Sequence, residues 1–282
     1  MPTTNGAIRS TILKELPVNR LPYLIAFFGI LWIPFQPGFS QPERSHFQTI
    51  HGALVRGDTT RQELALVFTG DAYGEGGSHI ARVLERQDVK AAFFLTGNFY
   101  RNPEFASIIT ALHEDGHYLG AHSDRHLLYC DWTRRDSLLV TRPQFQGDLL
   151  DNYQAMNRFG IAAGDAPLFL PPFEWYNDTI SRWTRDVGLQ LINYSPGTLS
   201  HADYTIPGNP GYRSSREIFQ SILDYETSAS KGLNGFILLS HIGAGPERTD
   251  KFYLYLEKLI QELKSRGYRF LRIDELLVEP YY

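Results

Sequence analysis

His122 and His126 stand four residues apart in the stretch AHSDRH, a spacing that lets two imidazoles converge on one cation when the backbone between them makes a helical turn. Two nitrogen donors leave room for a carboxylate and an open water position, the make-up of a catalytic rather than a structural metal site. Asp71 offers that carboxylate, in a loop that also holds Gly70, Gly74, Gly76 and Gly77. Such a loop can also cradle phosphate, but no Lys-Ser or Lys-Thr follows and the spacing fits neither nucleotide fingerprint. Glu174, in PPFEW, and His241, in LLSH, complete the set. A glutamate can accept a proton, and an imidazole with its pKa near neutrality can donate one. Cys130 is the single cysteine, so an internal disulfide is excluded and a metal site must be built from histidines and carboxylates.

These residues come together only if the chain delivers them to one place. From residue 62 onward, short apolar runs alternate with stretches of helical period, the pattern of parallel βα units. The runs Leu64–Phe68, Lys90–Leu95, His117–Ala121, Pro167–Leu170, Gln190–Tyr194, Gly235–Ser240 and Tyr268–Ile273 are predicted strands. Helices are predicted near 78–87, 103–115, 143–159, 178–187, 215–229 and 250–266, several opened by caps or early prolines at Asn102-Pro103, Thr141-Arg142-Pro143, Ser214 and Thr249. In parallel α/β folds, ligands bind where the carboxyl ends of strands meet their loops. Asp71 follows the first strand, the histidine pair the third, Glu174 the fourth and His241 the sixth. Seven units without a break in composition predict one α/β domain, barrel-like, with residues 41–61 as an N-terminal extension.

Composition bounds the class. Of the 282 residues, 43% are hydrophobic and 21% charged, enough apolar material for a globular core. The net charge is −4, with Lys and Arg spread along the chain, so the basic footprint of a nucleic-acid binder is missing. Residues Leu21–Phe35 form an apolar run preceded by Arg9, Lys14 and Arg20 and followed by Gly38-Phe39-Ser40, the layout of a secretory signal with cleavage before Gln41. The run is shorter than the roughly 20 residues a membrane span needs and contains Pro22 and Pro34. The expectation is therefore residues 1–40 as a signal peptide, an exported periplasmic or extracellular protein, and no stable membrane insertion.

The stretch 64–99 (LALVFTGDAYGEGGSHIARVLERQDVKAAFFLTGNF), then AHSDRH, FLPPF and ILLSH, resembles the successive motifs of the polysaccharide deacetylases, the NodB-homology or carbohydrate esterase 4 group. The resemblance spans about residues 62–276 and implies a distorted (β/α)7 barrel, so that 62–282 forms one such domain. It also implies a divalent metal, usually zinc, held by an aspartate and two histidines, here Asp71, His122 and His126. A water attacks an acetyl carbonyl in that family, helped by a carboxylate base and a histidine acid, the latter matching His241. The chain departs from the pattern in its first motif, where Thr69 and Gly70 occupy the places of the base and metal aspartates. Leu170 stands where an arginine orients the base. Asp71 and Glu174 are the carboxylates left to take over these roles.

The resemblance implies a metal-dependent hydrolase that removes acetyl groups from an N- or O-acetylated carbohydrate, with Phe173, Trp175 and Tyr176 as sugar-binding aromatics. The alternative is a catalytically degenerate barrel that binds glycans without turnover. A pure binder has no evident need for His122, His126 and His241 together, which favours the hydrolase.

Overall fold

The structure, a computed structural model, describes residues 46–278. The expected signal peptide, residues 1–40, lies outside the described residues. In chain order the elements are β1 (Gln48–Ile50), β2 (Ala53–Arg56), β3 (Glu63–Gly70), α1 (Gly77–Arg86), β4 (Ala92–Leu95), α2 (Gly97–Arg101), α3 (Ala106–Glu114), β5 (Tyr118–Ala121), α4 (Arg142–Asn157), β6 (Leu168–Phe169), α5 (Asp178–Asp186), β7 (Gln190–Leu191), α6 (Ser215–Ser228), β8 (Phe236–His241), α7 (Leu256–Ser265), β9 (Arg269–Phe270) and α8 (Ile273–Leu276).

The strands form one sheet in the order β1-β2-β8-β3-β4-β5-β6-β7, with β9 pairing the start of β3. From β8 to β7 every pairing is parallel. Helices cover such strands, so both faces are buried and the sequence reads as a continuous apolar run. Leu64, Ala65, Leu66, Val67 and Phe68 of β3 are all buried accordingly, and the Phe68 and Phe93 rings stack at 5.1 Å between centroids.

All seven predicted strands are present, and the fold is a curled sheet with covering helices in one domain, the distorted (β/α)7 barrel. Two strands were not expected. β1 and β2 fall inside the predicted extension, joined by a turn in which His51 (φ 46°) and Gly52 (φ 77°) are both left-handed. Runs of three and four residues are too short for a periodic signal. β2 pairs antiparallel with β8, while Leu54 bridges Ile192 just beyond β7 and its carbonyl accepts from Asn193 N at 2.9 Å. This strand draws the two ends of the parallel sheet together.

Helix starts follow the predicted caps at Thr141, which forms a capping box with Gln144, and at Ser214, which does so with Glu217. Thr249 caps nothing: a 3₁₀ turn over Phe252–Tyr255 precedes α7. The last predicted strand is cut short because Ile273 opens α8.

Candidate active site

The carboxyl ends of β3, β5, β6 and β8 surround a cleft of about 500 Å³ lined by Asp71, His122, His126, Phe173, Glu174 and His241 among others. Register explains the convergence. Thr69 pairs with His241 across β3 and β8, and Gly70, Leu95 and Ala121 lie level across β3, β4 and β5, so Asp71 and His122 each stand one residue past the same level. Gly70 is required there: a Cβ would lie 2.6 Å from the Ile242 side chain and 2.9 Å from that of Leu95.

Asp71 is oriented from the β4–α2 junction, its Oδ1 accepting from Thr96 Oγ1 at 2.8 Å and Asn98 Nδ2 at 3.3 Å. His122 is buried, and its backbone N–H donates to Asn152 Oδ1 on α4 at 2.8 Å. Its Nδ1 lies 2.8 Å from the Leu170 carbonyl. A carbonyl only accepts, so Nδ1 carries the proton and Nε2 keeps its lone pair. Burial, reinforced by His126, holds the His122 pKa well below its ordinary value, which keeps the ring neutral as a metal ligand must be. The His126 ring lies 5.2 Å away between centroids. Burial lowers its pKa too, against the pull of the Asp71 charge.

Glu174 is held by backbone geometry that few sequences adopt. Phe173 (φ 60°) and Glu174 (φ 51°) are consecutive left-handed residues after Pro171-Pro172, and Asn193 Nδ2 donates to the Glu174 carbonyl at 2.8 Å. Ser123 (φ 74°) and His126 (φ 55°) are left-handed as well. Each such non-glycine residue costs about 1 kcal/mol or more, and strain of this kind concentrates at functional sites. Burial raises the Glu174 carboxyl to about 7, opposed by the His241 charge and reinforced by Asp203.

His241 has a carboxylate partner. Its Nδ1 lies 2.6 Å from Asp203 Oδ1, and its backbone N–H donates to Asp203 Oδ2 at 2.9 Å. Burial alone would lower the imidazole pKa, but the charge and hydrogen bond of Asp203, with the Glu174 charge, outweigh it and raise it. The proton on Nδ1 is committed to Asp203, so Nε2 is the atom free to exchange a proton.

The donor chemistry suits a divalent cation: a neutral imidazole with a fixed tautomer, a second imidazole beside it and a carboxylate on the same cleft. Among the described residues, no three His, Cys, Asp or Glu side chains already stand in ligand geometry, and Asp71 is turned to Thr96 and Asn98.

Of the three aromatics expected to bind sugar, only Phe173 lines the cleft. Tyr176 is 2% exposed, with its hydroxyl donating to the Ile50 carbonyl. Trp175 packs beside the cleft, one face covered by the Arg135 guanidinium at 3.5 Å and its Nε1 donating to the Asp131 carbonyl. The left-handed turn at Phe173-Glu174 sends the chain away immediately afterwards. Tyr73, Trp132 and Tyr204 take the rim positions instead, each half exposed.

The polysaccharide deacetylase family profile matches residues 56–192, the stretch that delivers Asp71, His122, His126 and Glu174. A protein named peptidoglycan-N-acetylglucosamine deacetylase from Bacillus cereus is 28% identical over 196 residues, 69% of this chain and 78% of the relative. The chain is similar to the polysaccharide deacetylases, a family of hydrolases. Solved structures share its fold. PdaA of Bacillus subtilis, a family 4 carbohydrate esterase, superposes with a TM-score of 0.60 at 22% identity, covering 80% of this chain and 85% of that one. A family 4 pseudoenzyme from Bacillus anthracis superposes with a TM-score of 0.63 at 18% identity, covering 82% and 70%.

Sequence reasoning gave Asp203 no role in the site. It lies 38 residues before His241 with no motif around it, and only the fold makes it a partner. Asn152 and Arg101, which brace the histidine segment from α4 and α2, carry no signal beyond their helical context.

Proposed function

We propose that this chain is a metal-dependent hydrolase that removes acetyl groups from an N- or O-acetylated carbohydrate, and that it acts outside the cytoplasm. The observation that carries the reading is the pairing of proton-transfer groups in one cleft, Glu174 with its raised carboxyl pKa and His241 bound to Asp203. His122, His126 and Asp71 would hold the cation. When bound, such an ion supplies Lewis-acid polarisation of the acyl carbonyl and of water.

The chain's own residues then handle the protons. Glu174 takes one from the attacking water as its oxygen bonds to the acyl carbon, a task matched by a carboxyl pKa near neutrality. His241 gives its Nε2 proton to the sugar nitrogen or oxygen as the bond to the acyl carbon breaks, and acetate is released. Asp203 keeps the ring in the right tautomer and stabilises its cationic form.

The rim supports a sugar substrate, since Tyr73, Trp132, Phe173 and Tyr204 present ring surface around the polar floor and carbohydrate faces pack on aromatic rings. Among the described residues that line the cleft, none is Lys or Arg, so no side chain there offers the forked, charge-assisted pairing that a sugar carboxylate takes. An uncharged acetylated glycan fits better than one carrying a carboxylate. Export rests on the apolar run at residues 21–35 and agrees with a polymeric substrate.

A neighbour of this fold is described as a pseudoenzyme, so the fold by itself does not guarantee turnover. Acetate release from chitin oligomers, peptidoglycan and acetylated xylan, with added Zn²⁺ or Co²⁺ and with a chelator, tests the reading. Metal-stimulated release from at least one glycan is expected. Glycan binding without acetate under every condition would establish the degenerate barrel instead.

A further inference from the structure

The segment from His122 to His126 is held from outside the cleft. Ser123 and His126 are both left-handed, a conformation that persists in non-glycine residues only where the surroundings enforce it. Asp124, between them, is 3% exposed, and its side chain points away from the cleft toward α2. There the Arg101 guanidinium meets it as a fork, Nη1 to Oδ1 at 2.5 Å and Nη2 to Oδ2 at 3.1 Å. Arg101 Nη2 also donates to Asn98 Oδ1 at 3.2 Å, and Asn98 Nδ2 donates to Asp71 Oδ1 at 3.3 Å. One guanidinium thus reaches the histidine segment through Asp124 and the Asp71 carboxylate through Asn98.

The backbone is shaped to admit this contact. Gly97 N donates to the Ser123 carbonyl at 3.1 Å and Asn98 N to the Asp124 carbonyl at 3.0 Å. A Cβ on Gly97 would stand 1.8 Å from Asp124 Oδ1 and 2.8 Å from Arg101 Nη1, so no other residue type fits without displacing the pair. An ordinary surface ion pair contributes little. This one differs, because its carboxylate is buried and the fork satisfies both oxygens. The other cation nearby, Arg125, is 71% exposed and reaches Asp124 only at 3.7 Å.

We propose that Arg101 is a positioning residue that locks the His122–His126 segment and the Asp71 carboxylate to one another, through Asp124 on one side and Asn98 on the other. It does not line the cleft; it sits in a separate polar recess of about 330 Å³ with Asp124, Arg125 and Asp151. Its importance to catalysis rests on the metal reading above, but its hold on the segment does not.

The test uses the full chain with Arg101→Met, Arg101→Lys and Gly97→Ala. Amide exchange reads the segment directly through Arg125 N–H, which donates to Asp148, and Leu127 N–H, which donates to Ser123 Oγ. In Arg101→Met these two amides are expected to exchange about tenfold faster or more, with the amides of β3 and β8 unchanged. Arg101→Lys keeps the charge without the fork and is expected to fall between the two. Gly97→Ala should reproduce the Arg101→Met pattern by an independent route, and it carries the test should Arg101→Met fail to fold. Co²⁺ titration of the same proteins is expected to show a dissociation constant raised roughly 10 to 100-fold in Arg101→Met. Unchanged exchange at Arg125 and Leu127 in both Arg101→Met and Gly97→Ala would overturn the proposal. A wild-type chain that binds no Co²⁺ would sink the metal reading alone, leaving the exchange result to decide the role of Arg101.

Discussion

Under the proposed function His241 and Glu174 divide the proton work, a division their surroundings favour by pushing them in complementary ways. Asp203 stabilises the imidazolium, whereas burial disfavours the Glu174 carboxylate. His241→Ala is expected to lower turnover by about 10² to 10⁴ while leaving metal content and fold intact. Asp203→Asn keeps the shape but removes the charge, so the His241 pKa falls and the alkaline limb of the rate profile moves to lower pH. On the same reading Glu174 is expected to set the other limb, with kcat/KM rising through about pH 7 as the carboxyl ionises, and Glu174→Gln should flatten it. Stability carries the same signature with a definite sign. The Glu174 pKa is raised on folding from 4.5 to about 7, so its contribution is complete below pH 4.5 and is lost as pH rises to 7. Over that window the slope is at most about 1.4 kcal/mol per pH unit. Denaturant titrations of chelator-treated protein should show this loss in the wild type and its disappearance in Glu174→Gln; an identical slope in both would remove Glu174 as its source.

At the scale of elements, the site depends on what the helices hold from behind. α4 contributes Asn152, fully buried, which accepts from His122 N and donates to the Leu95 carbonyl at 3.3 Å, joining β4 to the loop after β5. It also contributes Asp148, which accepts from Arg125 N and from the Tyr129 hydroxyl at 2.8 Å. Asn152→Leu conserves volume but strands a buried donor and a buried acceptor, each worth about 1 to 3 kcal/mol when left unpaired. Thermal unfolding should register a loss of that order, and metal affinity should fall with it because the His122 backbone loses its anchor. Wild-type stability in Asn152→Leu would show that water replaces both partners.

At the scale of the molecule, β2 is the strand on which closure depends. Ala53, Leu54 and Val55 are buried, and Arg56 donates from Nε to the Asn234 carbonyl and from Nη2 to the Gly232 carbonyl, both at 2.7 Å. A chain beginning at residue 62 would lack the whole hairpin, expose the free edge of β8 and uncover the apolar groups under β2. Exposed edges of this kind promote aggregation. Such a chain is expected to lose cooperative unfolding and to self-associate, as measured by calorimetry and light scattering against the full chain. Retention of a sharp transition would mean that the six parallel strands from β8 to β7 suffice.

What the sequence determined by itself is what local chemistry specifies. Buried parallel strands read as apolar runs, Thr141 and Ser214 announce helix starts, and residues placed just after such runs are delivered to one end of a parallel sheet. Asp71, His122, Glu174 and His241 were therefore legible as neighbours before any coordinates. Tertiary structure decided the partnerships. Asp203 joins His241 across 38 residues, Arg101 joins Asp124 across 23 and β2 meets β8 across more than a hundred. Tyr176 turns inward to Ile50 while Trp132 takes the rim. Each is a choice among chemically equivalent donors, acceptors or rings distributed along the chain, and what selects one is the register of strands and the direction a loop leaves them. Neither is encoded in local periodicity, which specifies an element's type but not its neighbour.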